Sequence, residues 1–134
     1  MTPGARIQAA IECLDLIFEG APAEKTMTGW ARRSRYAGSK DRASVRDHVF
    51  DALRCRDSFA ALGGGLNGRA VMLGLCLDQG LLLDAVFSGQ GHAPTEISAD
   101  EQMLVSSARS SLAAQMSQAR DMPDWCFERL ETSH

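Results

Sequence analysis

Apolar residues recur along this chain at the three- and four-residue spacing of a helix face, and no segment alternates strongly with period two. Ile7, Ile11, Leu14 and Phe18, widened by Ala10 and Ile17, predict a first helix over 5–19, ended by Gly20. Pro22 is placed to open a second helix at its first position, where Ala23, Met27, Trp30 and Ala31 form the stripe. After a loop over 34–39, Ser39 is the expected cap of a third, longer helix with Asp41 in its first turn. Val45, Val49, Ala52, Leu53 and Phe59 line its apolar side.

The glycine-rich run 63–68 costs too much inside a helix and reads as a break. The helix expected over 69–79 is apolar nearly all round, as suits the centre of a bundle. Gly74 in its middle would admit a close neighbour. A short helix with Leu82, Leu83, Val86 and Phe87 follows Gly80, then a loop over 88–96. Ser98-Ala99-Asp100-Glu101 reads as a capping box that starts another helix, and Pro123 opens a last short one to about residue 131. The fold class expected is all-α, a bundle of about six or seven helices, with one domain over 1–120.

Composition agrees with this reading. The 134 residues fit one domain, 45% of them are hydrophobic, and only 6% are aromatic. No membrane-length apolar run occurs, and the first twenty residues lack the basic start and apolar middle of a signal peptide, so a cytoplasmic location is expected. Cys13, Cys55, Cys76 and Cys126 form no closely spaced ligand pairs and read as reduced core thiols rather than a zinc site.

Charge changes the picture more than composition does. The chain carries a net −3, yet residues 25–57 hold nine bases against four acids. Within them stand Arg32, Arg33, Arg35, Lys40, Arg42 and Arg46. Arg42 and Arg46 are four apart and share a helix face, and neither has an acid three or four residues away. Arg42 also sits near a helix N-terminus, where positive charge is unfavourable, so a carboxylate elsewhere or an external phosphate should compensate it. These six are the candidate RNA-contacting residues. Lacking exposed aromatics, such a patch would read backbone and shape.

Other candidate chemistry is thin. Gly63, Gly65 and Gly68 match a dinucleotide fingerprint in spacing, but a helix precedes them where that motif needs a strand. His48, His92 and His134 are scattered, with His48 expected on the rim or in the core. Trp30 lies on an apolar stripe, and Trp125 could anchor toward a partner. No catalytic, cofactor or metal site is expected.

Residues 5–14, 30–46, 47–54 and 68–77, with Pro123-Asp124-Trp125, taken in order, resemble the NusB-like N-terminal domain of the Sun/RsmB-type family of 16S rRNA cytosine-C5 methyltransferases. The resemblance implies a NusB-like bundle that binds structured RNA, ribosomal in origin; NusB itself serves in transcription antitermination. In the methyltransferases this domain precedes a catalytic domain that uses S-adenosylmethionine. Residues 121–134 would be a linker approaching that domain, and the chain a fragment or truncated relative with no cofactor of its own. One departure matters: the first helix has only Arg6 where NusB-like binders carry several arginines. That shifts the expected contact to the six residues above. The alternative is a protein-interaction or scaffold module whose basic residues pair internally.

Overall fold

The structure is a computed structural model that describes residues 1–35 and 37–118, with side chains described as far as residue 110. Seven helices and no strand stand among the described residues: α1 (Pro3–Phe18), α2 (Ala23–Arg33), α3 (Ser39–Arg54), α4 (Arg56–Gly63), α5 (Gly68–Gln79), α6 (Leu83–Val86) and α7 (Ala99–Gln118). The expected all-helical bundle of six or seven helices is what forms. The linker expected over 121–134 lies outside the described residues, as do the last short helix and Trp125.

α1, α5 and α7 start where a side chain accepts a first-turn amide. The Thr2 hydroxyl accepts the Ala5 N–H at 3.1 Å, and Pro3 occupies the first turn of α1, where a missing N–H costs nothing. The Asn67 side chain accepts the Ala70 N–H at 2.9 Å and starts α5. Ser98 and Glu101 form the expected reciprocal box at α7: the Glu101 N–H donates to Ser98 Oγ at 3.2 Å, and the Ser98 N–H donates to Glu101 Oε1 at 2.9 Å.

Two caps fall one residue away from where the spacing predicts. Pro22 is the cap of α2, not its first residue. Gly38, not Ser39, is the cap of α3, because the Asp41 carboxylate accepts the Gly38 N–H at 3.3 Å.

α5 is the axis of the bundle. Every residue from Ala70 to Leu77 is buried, and α1, α3, α4 and α7 all pack against it. The stripe of α1 (Ile7, Ile11, Leu14) and that of α3 (Val45, Val49, Ala52) close the core on one side. The third helix does not run on to Phe59, although its apolar pattern continues that far. It breaks at Cys55 (φ −111°, ψ 30°), and the redirected α4 buries Phe59 completely. There α4 meets α5 at a bend of 94°. An approach this close needs Gly74, since a Cβ at that position would collide with the Phe59 carbonyl.

Cys13 and Cys76 are free and buried. Cys55 is disulfide-bonded, which corrects the reading of four reduced thiols. No single helix is long and apolar enough to cross a membrane, among the described residues.

Candidate nucleic-acid interface

α2 and α3, joined by a short loop that carries Arg35, stand on either side of a groove lined by residues of both. Arg32 and Arg33 close α2, where positive charge complements the helix dipole. Lys40, Arg42 and Arg46 project from α3. All six predicted residues, Arg32, Arg33, Arg35, Lys40, Arg42 and Arg46, are exposed.

Three of the six converge. Arg32, Arg42 and Arg46 border a groove of about 420 Å³ between α2 and α3, with Met27, Trp30, Ala31 and Ala43 also lining it. The other three stand outside that groove. Arg33 lies close enough to Cys13 for its charge to act on that thiol.

The ion pairing of these residues divides them. Arg46 donates to Glu24 Oε1 at 2.9 Å, and its guanidinium lies 4.8 Å from the centre of the Phe50 ring. The Arg46 and Glu24 side chains are 49% and 71% exposed, so this pair contributes at most about 1 kcal/mol and can be exchanged for a phosphate contact. Arg32, Arg33, Arg35, Lys40 and Arg42 have no ion pair among the described residues. Of the two compensations open to Arg42, a carboxylate or an external phosphate, no carboxylate pairs with it among the described residues, whereas Arg46 has one.

Arg6, the lone arginine of the first helix, is committed elsewhere. Its Nη2 and Nε donate to Asp41 Oδ1 at 2.7 and 2.9 Å, and the Met1 amine lies 3.4 Å from the other carboxylate oxygen. The Arg6 hydrogen bonds hold the Asp41 carboxyl below its ordinary range. The pair ties the start of α3 to α1 and so sets where the basic face stands.

Trp30 is 5% exposed and belongs to the core, in keeping with its place on the stripe. The glycines at 63–68 form the turn between α4 and α5, and the Gly68 N–H there donates to Asp15 Oδ1 at 2.7 Å. His48 borders a second groove with Arg6, Ser44 and Gln79, and burial lowers its pKa. Burial pushes the Cys76 thiol up to about 12 and Cys13 up to about 11, which disfavours the nucleophilic thiolate. Among the described residues no three His, Cys, Asp or Glu side chains gather as a metal site would need.

Spacing does not reveal the apolar floor of the groove. Met27 and Ala31 read as core stripe, and Ala43 carries no signal at all. Nor does it reveal that Glu24 reaches Arg46, 22 positions away. Comparison with known protein families, with characterised proteins and with solved structures finds no match to this chain.

Proposed function

We propose that the chain is an RNA-docking accessory domain. On this reading it is NusB-like and akin to the N-terminal domain of Sun/RsmB-type 16S rRNA cytosine-C5 methyltransferases, as the ordered resemblance of its segments suggests. It works in the cytoplasm and positions structured ribosomal RNA for a catalytic domain that uses S-adenosylmethionine. Methyl transfer is not assigned to these residues.

The observation that carries the reading is the α2–α3 face. Five of its six bases have no ion pair among the described residues, and three guanidiniums border one groove. An acidic chain that leaves such a cluster uncompensated maintains a local positive potential, which a polyanion can neutralise. Docking would be electrostatic and would weaken steeply with salt.

A second reading, a scaffold module packing on a catalytic domain or partner, is favoured by the Arg46–Glu24 and Arg6–Asp41 pairs, which bind basic residues internally. One experiment separates the two. Binding of the full chain to a structured ribosomal RNA fragment is measured across a salt series, beside an Arg42→Ala/Arg46→Ala double variant. Docking predicts weaker binding and a salt slope shallower by roughly 0.7–0.9 for each phosphate left without its arginine. No binding at low salt overturns it and leaves the scaffold reading.

A further inference from the structure

The groove between α2 and α3 has a composition that phosphate binding alone does not explain. A site for phosphate oxygens needs donors and charge, and gains nothing from an apolar floor. Here Met27, Trp30, Ala31 and Ala43, with the single hydroxyl of Thr28, line the groove together with the arginines, in a volume of about 420 Å³. That falls in the range of small-ligand sites, roughly 300–1,000 Å³, and exceeds what a phosphate fills. Among the described residues no carboxylate lines the groove. Arg32 enters from α2 and Arg42 from α3, both exposed and neither ion-paired among the described residues. The site therefore offers an apolar surface flanked by two guanidiniums without ion pairs among the described residues and by a third, Arg46, held by Glu24.

We infer that this groove receives a single unpaired nucleobase of the docked RNA, with Arg32 and Arg42 on the phosphates beside it. The inference rests on the RNA-docking reading and adds a substrate class to it: RNA with a bulged or looped-out nucleotide. In a paired A-form stem the bases are stacked away and cannot reach such a floor, whereas a splayed base can leave the stack and bury its face. Trp30, only 5% exposed, supplies wall rather than a stacking platform. The base is thus buried against apolar side chains beneath a guanidinium, with tolerance for which base enters.

The test uses three RNA hairpins and the full chain. One has a fully paired stem, one carries a single-nucleotide bulge, and one carries the same bulge with an abasic nucleotide, which keeps every phosphate. The bulged RNA is expected to bind on the order of tenfold more tightly than the other two, from burial of one base face. Ala43→Leu fills the groove at an exposed helical position without changing charge. It should erase that preference, bringing the bulged RNA to the affinity of the abasic one, with circular dichroism and melting confirming the fold. Equal binding of the bulged and abasic RNAs overturns the inference whatever the variant does, and salt-dependent docking then survives. A preference that persists in Ala43→Leu also overturns it, because the base is then received elsewhere. No binding of any RNA at low salt overturns the docking reading and this inference together.

Discussion

Replacing Arg69 by alanine should destabilise the fold more than replacing any of the basic residues on the α2–α3 face. Arg69 stands at the start of α5 and reaches across to the loop and to α7. Its Nε and Nη2 donate to the two carboxylate oxygens of Glu101 at 2.7 and 2.9 Å. Nη1 donates to Thr95 Oγ1 at 3.0 Å, and Nη2 also donates to the Thr95 and Glu96 carbonyls at 3.0 and 3.1 Å. The guanidinium lies 5.1 Å from the centre of the buried Phe87 ring. The Arg69 and Glu101 side chains are 27% and 19% exposed. An exposed pair would contribute about 0–1 kcal/mol, and breaking a fully buried one would cost about 3–5 kcal/mol. Partial burial, the two-pronged contact with Glu101 and the loss of the loop contacts place Arg69→Ala at roughly 2–3 kcal/mol.

Urea unfolding followed by circular dichroism reads this directly, as a midpoint lower by roughly 1–2 M for a slope of about 1.5 kcal/mol/M. The effect should also depend on pH. The hydrogen bonds from Arg69, with help from the Ser98 N–H, bring Glu101 from an ordinary value of 4.5 down to about 2. A carboxyl whose folded pKa is depressed stabilises the fold fully above its unfolded pKa and loses that contribution as pH falls toward the folded one. The gap between native protein and variant should therefore be widest above pH 4.5 and close as pH approaches about 2. A loss under about 0.5 kcal/mol at neutral pH, typical of an ordinary surface substitution, would refute the reasoning, and so would a gap that does not narrow in acid.

Two glycines in helix interiors should respond with opposite signs. Gly74→Ala should cost about 1–3 kcal/mol, because the atom in the way is the Phe59 backbone carbonyl and cannot rotate aside. Gly29→Ala should gain about 0.5–1 kcal/mol, since its nearest obstacle is the flexible guanidinium of Arg33; urea midpoints of both variants check the pair. His48 gives a second pH signature. Burial lowers its pKa from 6.5, with Arg6 adding to this and Asp51 and Asp47 opposing it. The unfolded chain then takes up the proton more readily, so stability should fall as pH drops below about 6.5, and His48→Gln should flatten that slope between neutral pH and pH 5.

What the sequence determined by itself was local. The stripes of α1, α2, α3 and α5, the capping box Ser98–Glu101 and the breaks at Gly20, Gly63–Gly68 and Gly80 all follow from the helical repeat and from backbone amides needing partners within a turn. The exposure of the six basic residues was legible for the same reason, since they lie off the apolar stripes. Which of those residues share a groove was decided by tertiary structure, which sets α2 and α3 on either side of it. So was the break at Cys55, where burial of Phe59 against Gly74 outweighs a straight continuation of the helix. Glu24 finds Arg46, Asp41 finds Arg6 and Glu101 finds Arg69 across 22, 35 and 32 positions. Such pairs depend on the register between helices, which the packing of the whole core sets and which no spacing along the chain encodes.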